Sequence, residues 1–197
     1  MAKTVTALRA DRPGRVAVEL DGTPWRTLPL EAVLQAGLTA GRPLERERAR
    51  TLARELRRLR ALQLAGRALH YRARSVEELD GRLEAHGVAP AERTRALETL
   101  SSAGLVDDAR FATSRARALA DRGSGNELIR FDLENRGIAA EAIAAALESL
   151  EPERDRVERI VRRRGASPTT ARYLSGRGFS EESLEGVVAG DLGDAVG

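Results

Sequence analysis

The sequence predicts a mostly α-helical chain. Tandem three-helix, helix-turn-helix-like repeats form an elongated array, preceded by a small N-terminal antiparallel β region. Three observations predict this. The first forty residues alternate polar and apolar side chains with a period of two, the pattern of half-buried strands. From Leu44 onward apolar residues recur at helical spacing. One window recurs three times: Leu79-x3-Leu83-x3-Gly87-Val88, Ile129-x3-Leu133-x3-Gly137-Ile138 and Thr170-x3-Leu174-x3-Gly178-Phe179. Its glycines lie 50 and then 41 residues apart, a period that implies stacked supersecondary units.

Thr4–Leu8 and Arg15–Leu20 read as strands, joined by the turn chemistry of Asp11-Arg12-Pro13-Gly14. Asp21-Gly22 starts a second turn, and Trp25–Leu28 is the third strand. Leu30–Gln35 is a short helix stopped by Gly37. This β region is too small to bury much surface alone and should lean on the helical chain beyond it. Arg46–Leu69 is a long helix, on which Leu52, Leu56, Leu59, Leu62 and Leu69 form one apolar stripe. With so few aromatic residues, Trp25 and Phe111 are expected in the core.

Each repeat then has three helices. The first helices are roughly Leu59–Arg72, Asp108–Asp121 and Glu153–Arg163. The second helices carry the recurring window. Ser75 and Ser124 open two of them as Ser-x-x-Glu capping boxes, completed by Glu78 and Glu127. Ser167-Pro168 is the N-cap and N1 arrangement of the third. Gly87, Gly137 and Gly178 fall just past the helix ends, where glycine takes the left-handed conformation. The next residue folds back onto the leucine one turn earlier, a Schellman stop. The third helices are Pro90–Ala103, Glu141–Leu150 and Glu181–Val188, and Gly104-Leu105 ends the first of these in the same way. The expected division is 1–43 for the β region with its short helix, 44–109 for the linking helix and first repeat, 110–152 for the second repeat and 153–190 for the third. Residues 191–197 form a flexible tail, and periodicity is already lost at Gly190.

Composition excludes several classes. The 197 residues are 42% hydrophobic and 32% charged, too apolar for disorder and too polar for a membrane protein. No stretch approaches the ~18 apolar residues of a membrane span, and Lys3, Arg9 and Asp11 interrupt any signal-peptide core. Cysteine is absent, which removes disulfides and thiolate chemistry. A cytoplasmic location is expected. No catalytic constellation emerges: His70 and His86 lack an i, i+4 partner, as a helical metal site would need. There is no G-x-S-x-G and no phosphate loop. Gly123-Ser124-Gly125 reads as a flexible connection, and Asp107-Asp108 as a helix start. We expect no enzyme, no cofactor and no metal.

Arginine clusters remain as candidate partner contacts. All but one of the 33 basic residues are arginine, whose guanidinium grips carboxylates and phosphates bidentately. Residues 1–66 carry 13 basic and 7 acidic groups, whereas residues 110–155 carry 7 and 9. The candidates are Arg57 and Arg58 on the long helix, Arg72 and Arg74 around Ser75, Arg115, Arg117, Arg122 and Arg130 in the second repeat, and Arg162, Arg163 and Arg164 in the third. Each could equally serve solubility and the helix dipole.

These residues together resemble the RecX family of bacterial recombination regulators. The family pattern is a Gly-(Leu/Tyr)-(Leu/Ile/Val)-Asp-Asp-x-Arg-Phe-Ala junction, then Arg-x-Gly, then a helix closed by Gly-Ile. This chain has Gly-Leu-Val-Asp-Asp-Ala-Arg-Phe-Ala at 104–112, then Arg122-Gly-Ser-Gly, then Asn135-Arg-Gly-Ile. Ala68–Leu83 resembles the entry to the family's first module, and Gly14–Gly22 its small β region, so the likeness covers residues 4–188. Asn126 and Glu127 stand where members often carry basic residues.

The resemblance implies a non-enzymatic regulator, active in DNA repair and the SOS response. It would bind the RecA recombinase filament on single-stranded DNA and inhibit ATP hydrolysis and strand exchange, by lying in the filament groove or by blocking extension. A monomer is expected, with weak direct contact to single- or double-stranded DNA as a further partner class. Two alternatives stay open: a DNA-binding module of tandem helix-turn-helix-like repeats with arginine patches on phosphates, and a scaffold for an unrelated partner.

Overall fold

A computed structural model describes residues 2–189, so the tail expected at 191–197 lies outside the described residues. Its backbone contacts divide the chain into two compact units. Among the described residues, one comprises 2–71 and 82–100, and the other comprises 72–81 and 101–189.

The first unit opens with an antiparallel sheet of order β1-β2-β3, made of β1 (Val5–Arg12), β2 (Arg15–Leu20) and β3 (Thr23–Pro29). Strand β1 runs four residues past the expected end. Arg12 pairs with Arg15, so the turn shrinks to Pro13-Gly14. The outer half of β1 carries no apolar alternation, and backbone pairing alone extends it. On β2, Val16, Val18 and Leu20 alternate inward. They pack with Val5, Leu28 and with Ala32 and Val33 of α1 (Leu30–Gln35). Leu52 of α2 (Arg46–Tyr71) closes this core, with Leu56 and Leu59 against it, so the sheet leans on the long helix as expected. Further along α2 the most buried positions are Ala61, Ala65 and Ala68 rather than the leucine stripe. Trp25 overturns an expectation. It lies on the open face of β3, 37% exposed, with the Arg26 guanidinium 5.4 Å from its ring centre. The unit also contains the end of α3 (Val76–Ala85) and most of α4 (Pro90–Ser102), which buries Ala96, Leu97 and Leu100. Arg57 of α2 reaches Glu92 of α4 at 3.0 Å.

The second unit contains the first turns of α3 and two complete triplets. In the first triplet, α5 (Asp108–Asp121), α6 (Asn126–Glu134) and α7 (Ala140–Glu148) share a core of Phe111, Ala112, Ala116, Ile129, Leu133 and Ile143. In the second, α8 (Glu153–Arg164), α9 (Pro168–Gly176) and α10 (Glu181–Ala189) enclose Val157, Leu174, Phe179 and Leu184. The Schellman stops form as the sequence predicts. The amides of Val88, Ile138 and Phe179 donate to the carbonyls of Leu83, Leu133 and Leu174 at 3.1, 3.2 and 3.2 Å, and Gly137 sits at φ +69°.

Four local expectations are corrected. Leu105 does not fold back behind Gly104; it is 60% exposed, and Val106 is buried in its place. The capping box at Ser124 is not formed. Helix α6 starts at Asn126 behind Gly125, which offers no side-chain cap. Nor is Gly123-Ser124-Gly125 a loose connection: Gly123, at φ +79°, ends α5, and the Ser124 amide donates to the Leu119 carbonyl at 3.1 Å. Ser75 does cap α3, its Oγ accepting from the Glu78 amide at 3.1 Å, but the Glu78 carboxylate turns elsewhere.

Candidate functional site

The second unit repeats one junction twice. In each, the end of a second helix packs on the beginning of the preceding second helix. A carboxylate at the first position of the intervening first helix then caps that beginning. At the α3–α6 junction, the Val76 amide donates to Asp108 Oδ1 at 2.9 Å. At the α6–α9 junction, the Asn126 amide donates to Glu153 Oε1 at 2.6 Å. Both acceptors open a first helix, α5 or α8, so a single carboxylate serves the helix it begins and the helix it caps.

The chemistry filling this shared geometry differs. At α3–α6 the contact is ionic. Glu78 accepts from Arg72 at 2.8 Å and pairs with Arg136, which also holds Asp132 at 2.9 Å. Arg115 adds a bidentate grip on Asp132 at 2.8 and 2.9 Å. Burial on its own would raise the Glu78 carboxyl, but the Arg72 guanidinium, with the charges of Arg136 and Arg74, holds it below its ordinary value. Arg115, then Arg136, hold Asp132 far below the carboxylate range.

At α6–α9 the contact is made by backbone. The Gly125 amide donates to the Arg177 carbonyl at 2.8 Å, and the Glu127 amide to the Gly178 carbonyl at 3.1 Å. These carbonyls take the place that the Ser124 hydroxyl was expected to fill. A Cβ on Gly125 would run into the Gly178 carbonyl, and one on Gly178 would lie 2.5 Å from the Leu128 nitrogen. Only glycine permits that approach. The Arg177 guanidinium donates to the carbonyls of Gly123 and Arg122 at 3.1 and 2.6 Å. Arg156, 4% exposed, donates to the Ser124 carbonyl at 2.9 Å and to Asn126 Oδ1. Burial lowers the Arg156 guanidinium pKa, with Glu153 and Glu151 opposing. Glu153 also accepts from the hydroxyls of Ser180 and Ser183 at 2.7 and 3.1 Å. Burial would raise its carboxyl, but the Asn126 amide and the Ser180 donors hold it below its ordinary value.

The structure sorts the eleven candidate arginines. Arg57 is held by Glu92, Arg58 by Glu55 and Glu31, Arg72 by Glu78, and Arg115 by Asp132. Arg74 lies near Glu78 and adds to its positive surroundings. Arg164 lies over the Tyr173 ring, 4.0 Å from its centre. Arg117, Arg122, Arg130, Arg162 and Arg163 are exposed, and their side chains make no ion pair or hydrogen bond among the described residues. Four of the candidates come together: Arg117, Arg122, Arg163 and Arg164 line a cleft of about 650 Å³ between α5 and α8. Arg130 and Arg162 lie outside it. The four glycine stops sit where expected, and Gly137 and Gly178 do double duty at the junctions.

Sequence reasoning missed Asp108, Arg136, Glu153, Arg156 and Arg177. One signal was available: Arg136 and Arg177 each precede the glycine of the recurring window. Among the described residues there is no cluster of three side chains able to hold a metal, and no helix is long and apolar enough to cross a membrane.

Three-helix modules joined by a repeated carboxylate-capped junction define a modular helical-repeat protein. Comparison with known proteins places it further. A family model described as the second three-helix domain of RecX matches residues 107–147. The chain is 35% identical over 135 residues to the regulatory protein RecX of Stenotrophomonas maltophilia, covering 64% of this chain and 80% of that protein. It is 34% identical over 145 residues to that of Xanthomonas axonopodis, covering 68% and 87%. A crystal structure of regulatory protein RecX superposes with a TM-score of 0.78 at 22% identity, covering 94% of this chain and 98% of that one. The RecX structure from Lactobacillus salivarius has a TM-score of 0.60 at 18% identity, covering 69% and 97%. The chain belongs to the RecX family of regulatory proteins.

Proposed function

We propose that this protein binds the RecA recombinase filament on single-stranded DNA and inhibits its ATP hydrolysis and strand exchange, without catalysis of its own. The observation that carries this is the family membership, with 34% identity over 87% of a relative's length. The arrangement of the arginines supports it. Arg117, Arg122, Arg130, Arg162 and Arg163 have no partner among the described residues and are free to meet carboxylates of a protein or phosphates of its DNA. Arg57, Arg58, Arg72 and Arg115 serve the fold instead. The repeats at 44–109, 110–152 and 153–190 then act as successive docking modules, whose weak contacts add by avidity. The monomer acts in the cytoplasm, by groove occupation or by blocking extension.

The test is single-strand-dependent ATP hydrolysis by the cognate recombinase, with and without this protein. Inhibition at near-stoichiometric ratio is expected, and no inhibition at excess would refute the proposal. Changing Arg162, Arg163 and Arg164 to Glu together should weaken inhibition; an unchanged rate returns that cluster to a solubility role.

A further inference from the structure

The cleft between α5 and α8 gathers positive charge, of which the Arg117, Arg122 and Arg163 side chains make no ion pair or hydrogen bond among the described residues. Its volume of about 650 Å³ falls inside the ~300–1,000 Å³ range of small-molecule sites. Arg117, Arg122, Arg159, Arg163 and Arg164 line it, and Asp121 and Glu151 are its carboxylates. Glu151 is engaged by Arg159. Asp121 pairs with none of the others among the described residues.

Arg156, which lines the cleft, donates to the Ser124 carbonyl, and Arg177, outside the lining, donates to the carbonyls of Gly123 and Arg122. These carbonyls lie just past the end of α5 and are already satisfied by the two guanidiniums. Arg164 covers the Tyr173 ring, and Phe179 is buried with Arg156 at 5.8 Å from its ring centre. Tyr173 stays 37% exposed beside Arg164, so it is the convergent guanidiniums rather than the rings that single out phosphate as the recognised chemistry. The positive field is also local. Residues 110–155 carry 7 basic and 9 acidic groups, so the module forming one wall is acidic outside the cleft. A nucleic-acid strand needs a continuous basic track. A compact polyanion needs one focused pocket of convergent guanidiniums.

We propose that this cleft is a binding site for a compact polyphosphate, the triphosphate portion of a free nucleotide, held by Arg117, Arg122 and Arg163. The inference gives a second ligand to arginines that the recombinase reading also uses, and it is tested without recombinase.

Sodium tripolyphosphate is titrated calorimetrically into the full-length protein at about 0.15 M salt, where long-range attraction is screened within ~8 Å. One-to-one binding is expected. The double change Arg117→Glu with Arg163→Glu should weaken it at least about tenfold, and Arg130→Glu, outside the cleft, should leave it unchanged. Both cleft arginines are exposed and lack partners among the described residues, so thermal unfolding of the double variant should match that of the parent. If the double variant unfolds early, Arg117→Gln alone takes its place and should weaken binding several-fold. A parallel titration with an oligothymidylate separates the sources of phosphate. Absence of tripolyphosphate binding, equal loss in Arg130→Glu, or cleft-dependent binding of the oligonucleotide alone would each overturn the proposal.

Discussion

The α3–α6 and α6–α9 junctions solve the same geometric problem with different materials. Both place the glycine after a second helix against the beginning of the previous one, and both cap that beginning with a carboxylate from the next module. The first is then filled with opposed charges: Glu78, Arg136, Asp132 and Arg115. The second is filled with backbone: two amides meet two carbonyls, and its guanidiniums sit on further carbonyls. The register is therefore set by the shared glycine and carboxylate, whereas the filling decides how each junction responds to its surroundings. An ionic junction tolerates movement and feels salt and pH. A backbone junction tolerates neither an added methyl nor a shift.

The largest effect should come from Gly125→Ala. Gly125 has φ −79°, a conformation open to any residue. Alanine is a poorer N-cap than glycine, at a cost of up to about 1 kcal/mol, and a loss beyond that reports the junction itself. The Cβ meets the Gly178 carbonyl, and overpacking of this kind costs roughly 1–3 kcal/mol. A fall in melting temperature is expected; an unchanged one would mean that α9 does not sit on α6. Next comes Gly137→Ala. It forces a Cβ into the left-handed region, at roughly 1–2 kcal/mol, and pushes aside the flexible Glu77 side chain. Gly87→Ala, at φ +70° with nothing within 4 Å of its Cβ, supplies the backbone strain alone. Thermal unfolding should therefore rank Gly87→Ala no worse than Gly137→Ala, and the reverse order would argue against the packing of Gly137 on Glu77.

Acid should loosen both junctions through their carboxylates. Glu78 and Glu153 titrate lower in the folded protein than the ordinary glutamate value of 4.5. Their contribution is thus full above that value and is lost as pH falls below it through the lower folded values. Glu153→Gln should flatten this loss in a stability profile taken below pH 4.5; an identical slope in variant and parent would show that Glu153 contributes nothing to it. The smallest effect is that of salt. Raising it from about 0.1 to 1 M shortens the screening length from ~10 to ~3 Å. That should raise amide exchange near Val76 more than near Asn126, and equal responses would erase the contrast between the junctions.

Much of this was legible in the sequence. Leu30–Gln35 and Asp108–Asp121 are helices with the expected bounds. Their limits are written locally, in glycine, proline and capping residues. The Schellman stops were legible for the same reason. The junctions were not, because their partners are separated along the chain: Glu78 and Arg136 by 58 residues, Arg177 and Gly123 by 54. Ser124 shows how local reasoning fails. Its Ser-x-x-Glu pattern promises a capping box, yet the carbonyls of another module reach the α6 amides first. The arginine candidates were chosen by composition and clustering, and no local signal distinguishes Arg115, bound to Asp132, from Arg117, bound to nothing described.

The third module is fastened to the second through the first amides of α6. Amide hydrogen exchange at Gly125 and Glu127 tests it most directly, because amides at a helix start normally lack partners and exchange fast. Protection comparable to that of the helix interior at Ile129, lost at both amides in Gly178→Val while Ile129 stays protected, is the predicted result. Fast exchange at Gly125 and Glu127 in the unaltered protein would contradict it.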